Sequence, residues 1–147
     1  MELRKMMRKD IKEIVAIEEE NGDFPLNDIE VLAYLRSPIT ACYVLTYENG
    51  EDGDNNIAGY IISSIKDTMV IIHRIGINRT KQRLGVGTKL YKHLKAKSGR
   101  GIITMMVREH NLPLQLFLKK HGFFAVETKK DHFGTEDGYI MKWRAKE

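Results

Sequence analysis

The chain has 147 residues, a formal net charge of +4, one cysteine and an apolar content of 42%. This length predicts one domain, covering residues 1–147, with a full hydrophobic core, and the composition excludes a disordered chain. Because Cys42 is alone, no disulfide can form within the chain, which indicates a reducing compartment. No apolar run is long enough to cross a membrane and the N-terminus lacks the apolar core of a signal peptide, so we expect a cytoplasmic protein.

The hydrophobic periodicity predicts strands and helices that alternate along most of the chain. Residues 2–8 read as a strand, and Asp10 is predicted to cap the first helix together with Glu13, three residues on. The remaining elements are a helix at 28–36, strands at 40–48, 57–65 and 68–77, a helix from about 85 to 97, a strand at 101–109, a helix at 112–122, and strands at 123–130 and 138–145. The first two of those strands form a hairpin around a turn at 49–56, and the apolar strand at 68–77 is expected in the centre of the sheet.

This order predicts an α/β (α+β) fold in which about four helices flank a mixed central sheet of about seven strands. The strand–helix–strand–helix stretch from 68 to 121 is expected to supply the parallel part of the sheet.

A glycine-containing turn, "QRLGVGTKL" at residues 82–90, lies between the central strand and a helix. Glycines allow main-chain amides to approach a ligand, and a helix N-terminus favours anions, so the turn predicts a phosphate site. It is not a P-loop, because Gly87 is followed by Thr88 and Lys89 in the wrong order, and two glycines are too few for a dinucleotide fingerprint. The aspartates at 52 and 54 lack the rest of a calcium loop, and the five histidines form no metal motif, so we expect no metal.

The pattern of a strand, then Gln82, Gly85 and Gly87, then a helix resembles the acetyl-CoA signature of the GNAT superfamily of N-acetyltransferases. The segment "VREHNLPLQLFLKKHGF" is similar to that superfamily's second cofactor motif. The tail "ETKKDHFGTEDGYIMKW" resembles the last hairpin of protein N-terminal acetyltransferases, including those that act on ribosomal-protein alanine, and "NGDFPLND" resembles their Phe-Pro loop. The resemblance extends nearly from end to end and implies a GNAT fold.

The resemblance implies that acetyl-CoA is the cofactor and that main-chain amides hold its pyrophosphate, with Arg83 adding charge at the rim. The residues expected to bind the cofactor are Ile75, Ile77, Gln82, Arg83, Leu84, Gly85, Val86, Gly87, Thr88 and Asn111. The amide of Ile77 is the expected oxyanion donor to the thioester carbonyl. Asn111 is also suited to cap a helix, and it can fill both roles.

Two catalytic positions of the superfamily are changed in this chain. Leu118 stands where many members have a tyrosine acid, and Met106 stands where the ribosomal-protein enzymes have a glutamate base; both are expected to pack in the core. His73, on the predicted central strand, is a candidate base, and its alternative is a partly buried structural histidine. Period two predicts that His73 shares a face with Ile71, Ile75 and Ile77.

The resemblance also implies that the acceptor is the N-terminal α-amine of a protein or peptide, contacted by Phe24, Pro25, Leu26, His132 and Phe133. His132 is also a candidate proton relay, and its alternative is a solvated loop residue. The acidic run at 18–20 reads as a solvated face, although one of its carboxylates could orient an ammonium group. The lysine-rich segment "KLYKHLKAKSGR" is a solvated helix face or a surface for an anionic cofactor or an acidic partner.

Two alternative functions stay open. One is acetylation of a lysine side chain or a small-molecule amine, and the other is a non-catalytic acyl-CoA-binding regulator, which the substitutions at Leu118 and Met106 leave possible. Nucleic acid is not expected as a partner, because no aromatic-plus-basic platform is present. Neither a monomer nor a homodimer is excluded.

Overall fold

The computed structural model describes residues 1–22, 24–47 and 56–146. The predicted order of elements is confirmed: the described residues form seven strands and four α-helices. These are β1 (Glu2–Lys5), α1 (Ile11–Asn21), α2 (Asp28–Arg36), β2 (Thr40–Thr46), β3 (Ile57–Lys66), β4 (Met69–Ile77), α3 (Val86–Ser98), β5 (Ile102–Arg108), α4 (Leu112–Lys120), β6 (Phe124–Lys129) and β7 (Gly138–Arg144). Residues 49–55 of the turn predicted at 49–56 lie outside the described residues.

The described strands form one mixed sheet in the order β1-β2-β3-β4-β5-β7-β6. As predicted, β4 is in the middle of this order, and its parallel partner is β5. The parallel ladder extends from the pair Met69 and Ile102 to the pair Ile72 and Met105. The pairs β1/β2, β2/β3, β5/β7 and β6/β7 are antiparallel. The predicted α/β (α+β) class and seven-stranded mixed sheet are therefore confirmed.

Residue contacts divide the chain into two compact units, and β3 and β4 contribute residues to both. The first unit comprises Met1–Ser64 and Arg74–Gly99. Its core contains Ile11, Ile14 and Ile17, which lie on one face of α1. The other buried members of this core are Met6, Leu26, Val31, Cys42, Val44, Ile57, Tyr60 and Ile62.

The second unit comprises Ile65–His73 and Arg100–Glu147. Within it β5 shows strict alternation, since Ile103, Met105 and Val107 are buried and the residues between them are not. The edge strand β6 is different, because all six of its residues are exposed and a bulge interrupts its pairing with β7 between Ala125 and Glu127. Its antiparallel pairing with β7 therefore holds β6 without burial of either face.

The start of α2 is fixed by a capping box that the sequence analysis did not single out. The Asn27 side chain accepts a hydrogen bond from the Glu30 amide at 2.9 Å, and the Glu30 carboxylate accepts one from the Asn27 amide at 3.1 Å. A cap of this kind stabilises a helix by roughly 1 kcal/mol. It fixes the point at which the preceding loop, which contains residues 24–26, enters the helix.

The capping box predicted for α1 is wrong. A short 3₁₀ turn, Arg8–Asp10, precedes the helix, and the Asp10 side chain makes no capping hydrogen bond to an amide of α1. The Asp10 carboxylate instead accepts two hydrogen bonds of 2.8 Å from the Arg4 guanidinium and one of 2.7 Å from the Met7 amide. The Glu13 carboxylate is also occupied elsewhere, because it accepts from the Ile57 amide at 2.9 Å. A charged partner that is part-buried outcompetes a helix amide for the Asp10 carboxylate.

Asp10 is therefore an ion-pair residue that joins β1 to α1. Burial alone would raise the pKa of Asp10, but the hydrogen bonds from Arg4 and the Met7 amide outweigh it, and the pKa is lowered. A lowered carboxyl pKa contributes stability above the pKa of the unfolded chain, about 3.9, and this contribution is lost as the pH falls through the folded pKa.

Replacement of this carboxylate tests the ion pair. We expect Asp10→Asn to lower the free energy of unfolding at pH 7 by about 1–3 kcal/mol, since Arg4 loses its charged partner. Urea unfolding of wild type and variant between pH 7 and pH 2 should show the difference shrinking as Asp10 becomes protonated. Glu19→Gln, which removes an exposed carboxylate from α1, is the matched control. A difference that stays constant down to pH 2 would contradict the assignment.

Candidate active site

The turn that precedes α3 is fixed to β3 by Asn78. The Asn78 amide donates to the Ala58 carbonyl at 2.8 Å, and its side-chain nitrogen donates to the Ile57 carbonyl at 3.2 Å. Its side-chain oxygen accepts from the Thr80 amide at 3.0 Å and from the Thr80 hydroxyl at 2.9 Å. A 3₁₀ turn, Arg79–Lys81, follows, and this leads the chain from the end of β4 into residues 82–85.

The predicted cofactor turn is exposed and has an unusual backbone. Residues 82–85 are all exposed, and both Arg83 (φ 66°) and Gly85 (φ 73°) are in the left-handed region. Gly85 suits this conformation because it has no side chain, whereas an arginine there is strained by roughly 1–2 kcal/mol. A left-handed residue followed by a helical one turns successive main-chain N–H groups toward one point, which is an anion-binding arrangement.

Gly85 is also the N-cap of α3. Having no side chain, it provides no side-chain cap, and the first helical hydrogen bond is from the Lys89 amide to the Gly85 carbonyl at 3.0 Å. The helix dipole adds positive potential at this end. Space is open around Gly85, since nothing lies within 4 Å of the position that a Cβ would take. The turn thus has the donors, the potential and the space that a diphosphate requires.

The first turn of α3 lies directly on the backbone of β3. A Cβ at Gly59 would be 2.6 Å from the Val86 Cγ1 atom, 3.2 Å from the Leu90 Cδ1 atom and 2.8 Å from the Gly76 carbonyl oxygen. Val86 and Leu90 are buried there. Gly59 was not among the site residues predicted from the sequence, although an isolated glycine within a strand signals close backbone approach.

The alternate residues of β4 differ in burial. Val70, Ile72 and Gly76 are buried on one face, and Ile71, His73, Ile75 and Ile77 are half-buried at the positions between them. Ile75 and Ile77 come after the last pair of the ladder with β5. The Ile77 carbonyl accepts a hydrogen bond of 2.6 Å from the Asn21 side chain at the end of α1, a contact that the sequence analysis missed.

His73 belongs to the second unit, whereas the turn at 82–88 belongs to the first. Burial lowers its pKa below the ordinary value for histidine. The imidazole is therefore neutral at pH 7.

The loop between α1 and α2 presents Phe24 and Pro25 to solvent. Phe24 is 54% exposed, whereas Leu26 is buried and belongs to the core of the first unit. The Leu26 amide donates to the Glu18 carboxylate at 2.8 Å, and the Phe24 carbonyl accepts from Arg74 at 2.6 Å. The acidic run was predicted to be solvated, and this is wrong for Glu18, which is buried while Glu19 and Glu20 are exposed.

In the second unit, Asn111 caps α4. Its side chain accepts a hydrogen bond from the Leu114 amide at 3.3 Å. The Gln115 side chain donates to the carbonyls of Arg108 and Glu109 at 3.1 and 2.9 Å, which closes the turn between β5 and α4. Asn111 therefore fulfils the helix-capping role, and a cofactor contact remains a prediction.

The loop between β6 and β7 contains His132 and Phe133. The Phe133 ring is half-buried, lies 4.0 Å from the Arg108 guanidinium and meets the His132 ring edge-on at 4.8 Å. His132 is exposed. The loop thus holds the Phe133 ring in place and presents the His132 imidazole to solvent.

Glu136 holds this loop against the end of β5. Its carboxylate pairs with Arg108 at 3.1 Å and accepts from the amide and the ring of His110. Desolvation opposes the charged form, but the hydrogen bonds from His110 and Arg108 lower the pKa of Glu136. The carboxylate therefore remains ionised at neutral pH and ties the loop to β5.

The two changed catalytic positions differ in their surroundings. Leu118 is buried in the second unit, as predicted. Met106 is only half-buried, so the prediction that it packs in the core is wrong. Met106 is on the opposite face of β5 from Met105 and Val107. Its sulfur lies 2.7 Å from the position that a Cβ on Gly138 would take.

Among residues 1–22, 24–47 and 56–146, no three histidine, cysteine, aspartate or glutamate side chains are grouped so that they could hold a metal ion. Within the same residues, no helix has both the length and the apolar character needed to span a bilayer.

Comparison with known families and structures places these features in context. The family model described as acetyltransferase (GNAT) family matches residues 8–123. No curated protein sequence matches the chain.

Solved structures match the fold over nearly the whole chain. The ribosomal-protein-S18-alanine N-acetyltransferase from Escherichia coli matches with a TM-score of 0.84 and 20% identity, over 99% of this chain and 94% of that one. Ard1 from Thermoplasma volcanium matches with a TM-score of 0.82 and 20% identity, over 99% and 98% of the two chains. NAA60 from Arabidopsis thaliana, in complex with a bisubstrate analogue, gives 0.83 and 12%, over 97% of each.

The close approach at Gly59 can be tested by adding one methyl group. We expect Gly59→Ala to lower the free energy of unfolding by about 1–3 kcal/mol, because the new Cβ overlaps Val86 and a main-chain oxygen that cannot rotate away. Gly101→Ala is the control, since its Cβ would be 3.9 Å from the nearest atom outside its chain neighbours. Denaturant unfolding measures both variants, and equal stability of the two would show that β3 and α3 are not in tight contact.

Proposed function

This chain belongs to the GNAT family of acetyltransferases, and we propose that its 147 residues act as one domain that acetylates the N-terminal α-amine of a protein or peptide. Family membership confirms the predicted family, enzyme class and cofactor: the chain is an acetyl-CoA-dependent acetyltransferase. The identity of the acceptor amine is the part that we propose.

The observation on which the proposal depends most is the exposed turn at 82–85 with its open glycine. We assign the main-chain amides of Gln82, Arg83, Leu84, Gly85, Val86, Gly87 and Thr88 to the pyrophosphate of coenzyme A. The left-handed backbone at Gly85 and the N-terminal dipole of α3 support this assignment. The exposed Arg83 guanidinium adds a positive charge beside the turn.

We assign the main chain of Ile75 and Ile77 and the side chain of Asn111 to the arm of the cofactor. When bound, acetyl-CoA supplies a thioester whose carbonyl the acceptor amine attacks. The Ile77 amide is the donor that we propose for the oxygen of that carbonyl, and one such donor typically contributes a factor of about 10²–10³ to the rate. The hydrogen bond from Asn21 to the Ile77 carbonyl supports this role, since it limits movement at the end of β4.

His73 is the base that we propose for the acceptor amine. An α-amino group has a pKa near 7.7–8.0, so a sizeable fraction is neutral at pH 7.5 and needs to release only one proton after attack. We propose that His73 takes that proton directly or through water, and its lowered pKa supports a neutral imidazole at pH 7. His132, which is exposed, is the second proton-transfer candidate.

Phe24, Pro25 and Leu26 are assigned to the first side chain of the acceptor, and His132 and Phe133 to its backbone. The exposed Phe24 ring supports the first assignment. Leu26 is buried, so it supports the apolar wall from the core side and does not form its surface. An apolar wall of this kind suits a small or apolar N-terminal residue. The similarity to a ribosomal-protein-S18-alanine N-acetyltransferase agrees with such an acceptor.

The function is tested with a pair of peptides that differ only at the N-terminus. Each contains one internal lysine, and one has a free alanine N-terminus while the other is blocked. We expect acetyl transfer to the free peptide alone, because the proposed acceptor site is for an α-amine, and mass spectrometry identifies the modified nitrogen. Acetylation of lysine in both peptides would instead support the lysine alternative.

Two variants act as internal controls in this assay. His73→Ala should lower kcat by about 10²-fold if the imidazole is the base, and His132→Ala should do so if the relay is at that position. Tight acetyl-CoA binding without transfer to any amine would favour the non-catalytic regulator.

The cofactor turn is tested by a charge at Gly85. We expect Gly85→Asp to weaken acetyl-CoA binding by about 10²-fold or more, because a carboxylate would face the diphosphate and the left-handed backbone would be strained. Gly99→Asp is a matched control, since Gly99 has a φ of 60° at the opposite end of α3 and also has open space around it. Calorimetric titration gives both affinities, and equal binding by the two variants would rule out this turn as the diphosphate site.

A further inference from the structure

Glu18 is a buried carboxylate on a helix surface where its neighbours are exposed. Glu18 is 8% exposed, whereas Glu19 and Glu20 are exposed to solvent. Removing a charge from water is costly unless hydrogen bonds and an opposite charge compensate for it. The partners of Glu18 therefore show what its burial accomplishes.

Three groups from different parts of the first unit meet at the Glu18 carboxylate. The Tyr60 hydroxyl, from β3, donates to one oxygen. The Leu26 amide donates to the other oxygen at 2.8 Å, and an Arg74 guanidinium nitrogen lies 3.4 Å from that same oxygen. Burial and the nearby Glu18 charge raise the pKa of Tyr60, so the phenol stays protonated and remains a donor.

Gly76 makes room for this arrangement. A Cβ at Gly76 would overlap the Tyr60 ring, so the ring can lie across β4 only because residue 76 is a glycine. Tyr60 is completely buried, and its ring position directs the hydroxyl toward α1. The glycine is thus part of the support for the carboxylate.

The same cluster holds both ends of the segment 24–26. Glu18 holds it through the Leu26 amide, and the Arg74 nitrogen that approaches Glu18 also donates to the Phe24 carbonyl at 2.6 Å. Between these two ties, Pro25 has a fixed φ and no amide to donate. The segment is constrained at three consecutive residues, and its Phe24 side chain is 54% exposed.

We infer that Glu18 is a positioning residue that sets the acceptor specificity of this enzyme: with Tyr60 and Arg74 it fixes the backbone at 24–26 and thereby the wall that meets the first residue of the acceptor. This inference rests on the proposed function. Both oxygens of Glu18 already accept hydrogen bonds inside the protein, so the carboxylate acts on the loop and not on the reacting amine.

Glu18→Gln tests the inference with almost no change in volume, and Glu19→Gln is the matched control from the same helix. We expect Glu18→Gln to raise KM for the alanine peptide by about 10-fold to 10²-fold, with kcat and the affinity for acetyl-CoA changed by less than about 3-fold. The differences in kcat/KM among peptides that begin with Ala, Ser, Met or Leu should become smaller, because the wall that contacts the first residue is no longer fixed. Tyr60→Phe retains the aromatic ring packed against Gly76 but removes the hydroxyl that donates to Glu18. This variant should also raise KM, by a smaller factor than Glu18→Gln.

Amide hydrogen exchange in the free protein gives a readout that does not need activity. The Leu26 amide should exchange faster in Glu18→Gln and Tyr60→Phe than in wild type and Glu19→Gln. Unchanged exchange and unchanged KM in both variants would overturn the inference, as would a loss of kcat with an altered pH profile at constant KM, since that result would place Glu18 on the amine. If no peptide is acetylated by wild type, the proposed function and the specificity role are both refuted, whereas the exchange data would still report the tie to Leu26.

Discussion

The contact between β3 and the first turn of α3 at Gly59 determines where the proposed cofactor turn lies. Val86 occupies the space that a side chain at residue 59 would need, so the helix start rests on the strand's main chain. Recognition by main-chain amides makes such a contact necessary, because an amide cannot rotate to a new position as a side chain can. Asn78 fixes the other end of the turn through residues 57 and 58 of the same strand. Both ends of the turn are therefore anchored to β3.

The C-terminal part of α1 connects the features that we assign to the two substrates. Asn21 holds the carbonyl of Ile77, and the Glu20 carbonyl accepts from Arg79 at 2.6 Å, so the segment after β4 is tied to this helix. One turn earlier, Glu18 holds the loop that contains Phe24. The acceptor loop and the approach to the cofactor turn therefore share one support. A shift of α1 would alter both together.

The sequence was sufficient for the order of the elements, because period-two and helical patterns are local signals of strands and helices. The glycine spacing and the family resemblance singled out residues 82–88, and the cofactor role of this turn is part of our proposal. The sequence was misleading where a long-range partner decides the outcome. Asp10 has the pattern of a helix cap, but Arg4 reaches it from β1; Glu18 has the pattern of a solvated acid, but Tyr60 reaches it from β3. No local pattern identifies such partners, whereas the isolated glycines at 59 and 76 were available signals of close packing.

The solvent-facing strand β6 has an evolutionary consequence. Neither of its faces is buried, and it leads into the loop that contains His132 and Phe133. Substitutions or a shift in the bulge near Val126 can therefore change the reach of that loop at little cost to folding, while α3 and the turn before it stay as they are. Under the function that we propose, a duplicated copy of such a gene can diverge toward a different acceptor and still retain its acetyl-CoA site.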